Sequence, residues 1–192
     1  MIKRVCVYCA SSSKAAAIYK SEAYRLGEIL AKEGIACNYG GGSIGLMGEL
    51  ASSMIKNGGE ITGIIPKFMV DKGWGNPNVK QIEVETMHER KERMVSDVDA
   101  AIALPGGCGT LEELMEVITW KQLSLFNKPI IILNINHYFD PLLELLQKAI
   151  NENFMREEHL KMWNCIDSVE NVLYTIQNAH QWENDAINIA AI

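Results

Sequence analysis

The segment Pro105-Gly106-Gly107-Cys108-Gly109-Thr110-Leu111-Glu112-Glu113 carries two chemistries side by side. Gly106, Gly107 and Gly109 let backbone N–H groups converge, and a helix N-terminus lies behind them, so the stretch reads as a cradle for a phosphate group. It is no Walker A loop, because no Lys-Ser/Thr follows. Glu112, Glu113 and Glu116 then enter the helix over an arc of roughly 100°, which also carries Thr119 and Trp120. Leu111, Leu114, Met115 and Ile118 take the core side. Thr110 with Glu113 three residues on fits a capping box, and acids suit the first turn of a helix. Capping accounts for one acid and a hydroxyl, not for a carboxylate cluster that would repel a phosphate. An acid in that place is useful where part of the substrate becomes positive.

The second segment is Met87-His88-Glu89-Arg90-Lys91-Glu92-Arg93-Met94. Met87, Arg90, Lys91 and Met94 share one helical face, and the two methionines favour burying it. That turns Arg90, with Lys91 beside it, toward the protein, where a guanidinium needs a carboxylate or phosphate partner. Both partners stay open at this point. Glu89 and Arg93 read as an exposed i,i+4 pair.

Weaker signals surround these two. Tyr39 to Gly48 contains a G-x-G-x-x-G at Gly40, Gly42 and Gly45. It follows the second strand, and no acid ends the next strand to hold a ribose, so a nicotinamide cofactor is not favoured. Glycines there still permit a tight turn or close ligand approach. Ser11 to Ser13, after the first strand, suit a helix cap or an anion contact. The four histidines show no metal-ligand spacing, and Cys108 has no histidine nearby in sequence to make it a nucleophile.

These residues need a frame. Short β-branched runs at 4–9, 35–39, 61–65, 81–84, 100–104 and 130–133 predict strands. Helices are expected from the Ser11–Ser13 turn to Glu33, from the glycine loop to Lys56, over 87–96, over 110–123, from Asp140-Pro141 onward and over 168–180. Residues 67–79 read as a surface loop. The alternation implies an α/β, Rossmann-like three-layer fold, with a mainly parallel sheet and helices on both faces. Ligands of such sheets bind outside the carboxyl ends of the strands, where all three loops sit. Residues 1–180 read as one domain and 181–192 as a frayed tail.

The chain has 192 residues, 48% of them hydrophobic and 22% charged, with net charge −6. A core of ordinary size follows, and disorder does not. The acidic balance offers no basic face for nucleic acid or an anionic membrane. No apolar run approaches the ~20 residues that span a bilayer. Five scattered cysteines point to a reduced, cytoplasmic protein. Cys6 and Cys9 lie three apart in a strand, on opposite faces, and read as plain core residues.

Together these motifs resemble the LOG family, the cytokinin riboside 5′-monophosphate phosphoribohydrolases often mislabelled as lysine decarboxylases. The family's P-G-G-x-G-T-x-x-E stands at Pro105 to Glu113, its M-H-x-R-K at Met87 to Lys91, and its Y-G-G-G-S-x-G-L-M-G at Tyr39 to Gly48. The resemblance covers roughly residues 1–165. It implies a homodimer that hydrolyses the N-glycosidic bond of a purine nucleoside 5′-monophosphate, AMP or an N6-prenylated analogue, without metal or cofactor. It implies Arg90 and Glu113 as the catalytic pair, with Met87, Lys91, Gly106, Gly107, Cys108, Gly109, Thr110, Leu111, Glu112 and Thr119 touching substrate. Ser12 and Gly42 are further candidates near the same cleft. The resemblance also leaves a non-catalytic nucleotide binder on the same fold as the alternative. A pyridoxal-phosphate decarboxylase is a distant third, with Lys91 the one candidate Schiff-base lysine.

Overall fold

The computed structural model describes residues 1–182. In chain order the elements are β1 (Arg4–Tyr8), α1 (Ala17–Lys32), β2 (Ala36–Tyr39), α2 (Gly45–Lys56), β3 (Ile61–Pro66), α3 (Lys67–Asp71) and β4 (Lys80–Val84). There follow α4 (Met87–Val95), β5 (Ala100–Ala103), α5 (Cys108–Gln122), β6 (Ile130–Leu133), α6 (Asp140–Asn151), β7 (Asn164–Ile166) and α7 (Val172–Asn178). The strands form one sheet in the order β4-β3-β2-β1-β5-β6-β7. Every neighbouring pair runs parallel.

Alternation along the central strands divides the core in two. Val5, Val7, Ala100, Ile102, Ile131 and Leu133 face α1, α2 and α7. Cys6, Tyr8, Ala101, Ala103, Ile130 and Ile132 face α4, α5 and α6. Helices therefore cover both faces, as near-continuous apolar strands require. Cys6 and Cys9 fall into opposite core layers. Burial pushes both thiols well above their ordinary range.

The chain leaves β1 toward β2, β3 and β4, then returns to lay β5 on the other flank of β1. The reversal between β1 and β5 is where open α/β sheets bind ligands. Three loops are tied together there. The Ala10 amide donates to the Pro105 carbonyl at 3.3 Å, and the Met47 amide donates to the Ala10 carbonyl at 3.1 Å. Gly45 has φ +66°, and a Cβ on it would lie 2.6 Å from the Ser12 carbonyl oxygen. Only glycine serves this joint without strain.

Several sequence expectations are corrected. Residues 67–79 are not all loop: Lys67–Asp71 form a helix that buries no residue, so it has no apolar period to read. Helix α1 begins at Ala17, after a longer turn than the serines suggest. The edge strand β7, only three residues long, was not expected. Asp140 is the first residue of α6 rather than its cap, which is Phe139. A 3₁₀ turn, Val169–Asn171, precedes α7. Helix α5 starts at Cys108, two residues early, so Thr110 lies inside the first turn and no Thr110–Glu113 capping box forms. A threonine–glutamate cap does form at α4, where Thr86 accepts from the Glu89 amide and Glu89 accepts from the Glu85 amide. Glu89 therefore caps its helix and forms no ion pair with Arg93, whose guanidinium meets Ser96. Trp182, in the segment expected to fray, is buried in the second core layer; the rest of that segment lies outside the described residues.

Replacing Gly45 tests the loop joint. Gly45→Ala combines a left-handed backbone cost of about 1–2 kcal/mol with overpacking of about 1–3 kcal/mol. A urea titration is expected to show a loss of about 2–4 kcal/mol; an unchanged midpoint would mean the loops move apart freely.

Candidate active site

β5 runs into Leu104 and Pro105, and Gly107 then caps α5 with extended dihedrals and no side-chain bond. The Thr110 side chain fills the space that a Cβ on Gly106 would need, so this glycine is fixed by packing. Gly107 and Gly109 instead open onto free space. The first amides of a helix have no intrahelical acceptor, and the helix dipole adds positive potential there. Gly107, Cys108 and Gly109, all exposed, thus present a backbone seat for an anion. The Gly106 carbonyl, on the other side of that turn, accepts the Tyr138 hydroxyl at 2.5 Å.

About one and a half turns further along α5 lies Glu113, only 4% exposed. Its Oε1 accepts from Arg90 Nη1 at 2.9 Å. Arg90, 7% exposed, also donates through Nε to the Ile64 carbonyl at 3.1 Å and through Nη2 to the Gly40 carbonyl at 3.4 Å. The guanidinium fork is thereby divided between one carboxylate and two strand-end carbonyls. Burial raises the Glu113 carboxyl to about 7; the Arg90 charge pulls it down without cancelling the shift, and Glu112 adds to it. A carboxyl with that affinity titrates where it can either hold or release a proton near neutrality.

Lys91 deals with the other two acids. Its Nζ donates to Glu112, and to Glu116 at 2.9 Å. Burial alone would lower the Lys91 ammonium, but the two carboxylates outweigh it and raise it. The acid cluster is thus two acids tied up by one lysine and one acid held by Arg90.

The remaining sequence candidates fall at different distances. Met87 is half-buried at the first residue of α4, and Leu111 packs on the second core layer. Thr119 is exposed, its hydroxyl donating to the Met115 carbonyl at 2.8 Å. It stands about 9 Å along α5 from Glu113, so within this chain the structure does not bring it to the pair. Ser12 is exposed, with Oγ accepting from the Lys14 amide at 3.3 Å. Gly42 rests on Met47, accepts the Tyr39 hydroxyl at 3.1 Å and bridges to Gly75. The Tyr39–Gly48 loop is accordingly a packing joint that also supplies the Gly40 carbonyl to Arg90. His88 is exposed and outside the cluster. No motif flagged Tyr138, because its contact to Gly106 spans 32 residues of sequence. Among the described residues, no group of three His, Cys, Asp or Glu is placed to hold a metal, and no helix is long and apolar enough to cross a membrane.

A family model described as "Possible lysine decarboxylase" matches residues 47–176. The cytokinin riboside 5′-monophosphate phosphoribohydrolase LOG of Oryza sativa subsp. japonica is 45% identical over 81% of this chain and 65% of its own length. LOG1 of Arabidopsis thaliana, with the same activity in its name, is 44% identical over 80% of this chain and 72% of its own length. The chain thus spans about two thirds of the length of these relatives. A molybdenum cofactor binding protein of Rippkaea orientalis superposes with a TM-score of 0.69 at 24% identity, over 92% of this chain and 96% of that one, a likeness of fold alone. With relatives this similar over four fifths of its residues, and with both long motifs joined by ion pairs, the chain belongs to the LOG family.

Proposed function

We propose that this protein hydrolyses the N-glycosidic bond of purine nucleoside 5′-monophosphates, AMP or an N6-prenylated form, to free base and ribose 5-phosphate. The observation that carries this reading is the buried Arg90–Glu113 pair set on the same helix as the open amides of Gly107 to Gly109. The 5′-phosphate sits on those amides, with the ribose over Glu113. As the C1′–N bond lengthens, its electrons leave with the base and the sugar becomes cationic. The Glu113 carboxylate stabilises that charge, or takes the proton of the water that adds to C1′. Arg90 orients Glu113: three of its five N–H groups, one on each nitrogen, are placed on the carboxylate and two carbonyls, which favours this role over holding phosphate. Binding energy from the remote phosphate then goes into orienting the reacting bond.

Met87 and Lys91 border this cleft from α4, and Glu112 from α5. Thr119 stands about 9 Å along α5 from Glu113 in its own chain, its hydroxyl on the Met115 carbonyl. We place the reaction in a homodimer, and in the cytoplasm, where five free thiols stay reduced. A decarboxylase working through a lysine Schiff base fits poorly. Lys91 is held as an ammonium between Glu112 and Glu116, and a Schiff base needs the free amine.

Two measurements test the reading. Purified protein is expected to release adenine from AMP, and Glu113→Gln, which keeps the shape and the Arg90 contact, to lower kcat about 10²–10⁴-fold with thermal melting little changed. Equal rates for the two proteins remove Glu113 from the chemistry, and AMP binding without turnover leaves only a nucleotide carrier. The pH profile gives the sign. If the ionised carboxylate acts, kcat/KM rises with pH through about 7 and levels off above it. A rate that falls over that interval assigns Glu113 the opposite role. The same raised carboxyl favours the folded state below the ordinary carboxylate range, and that contribution is lost as pH climbs through about 7.

A further inference from the structure

The loop between β6 and α6 takes no part in the motifs, yet it reaches the anion seat. We propose that Tyr138 is a positioning residue: its hydroxyl fixes the Gly106–Gly107 peptide so that the Gly107 amide faces the substrate phosphate. The inference rests on the hydrolase reading above for the identity of that phosphate.

The geometry begins with the peptide itself. In a planar trans unit the carbonyl and the following N–H point in opposite directions. No peptide in the described chain is cis. Holding the Gly106 carbonyl on one side therefore aims the Gly107 N–H at the other. Tyr138 Oη does the holding, at 2.5 Å. A glycine pair has no side chains to resist rotation of this unit, so an external anchor is what fixes it. Thr110 blocks one side of Gly106, and nothing comparable restrains Gly107.

The loop is built to keep Tyr138 in place. Its ring stands edge-on between Tyr19 and Phe139, with centroids 5.8 and 5.1 Å away. Asn134 anchors the base of the turn, accepting from the Phe139 amide at 2.7 Å and donating to Asp140 at 2.6 Å. His137 Nδ1 lies 3.2 Å from Asp140 Oδ2. Two consecutive residues, Asn136 at φ 51° and His137 at φ 59°, adopt the left-handed region. Neither is glycine, and each such residue costs energy that surrounding contacts must offset. Backbone strain just before a side chain that grips the proposed site suits a turn selected for where it delivers Tyr138.

Tyr138→Phe keeps the ring between Tyr19 and Phe139 and removes only the hydroxyl. The expected result is a KM for AMP raised about threefold to tenfold with kcat within twofold, the range one neutral hydrogen bond supports. Calorimetry with ribose 5-phosphate is expected to show the same loss of affinity, whereas the KM for adenosine, which lacks the phosphate, stays put. Amide spectra provide a readout independent of turnover: inorganic phosphate should move the Gly107 resonance in the parent and move it less in the variant. Unchanged ribose 5-phosphate affinity, or equal losses on AMP and adenosine, overturns the proposal. If the parent binds ribose 5-phosphate but releases no base from AMP, the hydrolase reading fails while the Tyr138 comparison still reads out. If the parent binds no ribose 5-phosphate, the phosphate seat and the role of Tyr138 fall together.

Discussion

A guanidinium and a carboxylate taken out of water together are the constraint around which this cleft is arranged. Burying an ion pair costs desolvation that the Coulomb attraction offsets only with good geometry and satisfied remaining donors. For Arg90 the chain supplies an acceptor to each of the three guanidinium nitrogens, using three of its five N–H donors. One nitrogen is given to Glu113, and the other two go to the carbonyls of Ile64 and Gly40. Those carbonyls lie in and just past the strands β3 and β2, so the pair is braced by the sheet rather than by mobile side chains. Removing the Arg90 guanidinium would leave a buried carboxylate without its counter-charge and two carbonyls without their donor, typically a loss of about 3–5 kcal/mol. That cost makes the pair a fixed part of the fold, and its carboxyl is the one group in the cleft left titrating near neutrality.

Geometry elsewhere follows from the need to bring distant segments to this pair. Arg90 comes from α4, which crosses from β4 to β5, and Glu113 from α5 on the far side of the reversal. The loops after β1, β2 and β5 are joined by amide–carbonyl bonds, through Ala10 to Pro105 and Met47 to Ala10. Glycines without room for a Cβ allow these joints. A Cβ on Gly40 would lie 2.8 Å from Met47 Cε and run into the Arg90 guanidinium, so the close approach that supplies a carbonyl to Arg90 depends on that residue being glycine.

Local features of the frame were legible in the sequence because they are set by residues near one another. The 3.6-residue period put Arg90, Lys91 and Met94 on one face, and all three are buried. Apolar runs located six of the seven strands; the seventh is a three-residue edge with little to pack. The glycine cradle was legible too, because its amides follow from backbone chemistry alone. Partner choice was not. Arg90 could equally have met a phosphate, and only the tertiary placement of Gly40, Ile64 and Glu113, all at least 23 residues away, decides for the carboxylate. The Thr110–Glu113 cap failed for the same reason: Glu113 is turned to Arg90, and Thr110 is pressed onto Gly106. Tyr138 gave no signal at all, since its hydroxyl acts on a peptide of another loop.

Three carboxylates beside an anion seat looked self-defeating, and the ion pairs show why they are not. Lys91 shares its charge between Glu112 and Glu116, and Arg90 answers Glu113, so three negative groups face two positive ones. The balance then turns on the Glu113 proton. On the proposed docking, the negative phosphate pushes the Glu113 carboxyl further up and favours its protonated form, which reduces the repulsion as the nucleotide arrives. In the proposed reaction the sugar over Glu113 becomes positive as the glycosidic bond opens, and that charge favours the ionised carboxyl. In that scheme the protonated carboxyl suits anion binding and the ionised one suits the cationic sugar. A fully solvated glutamate, already ionised at neutral pH, has no such range; burial beside Arg90 supplies it.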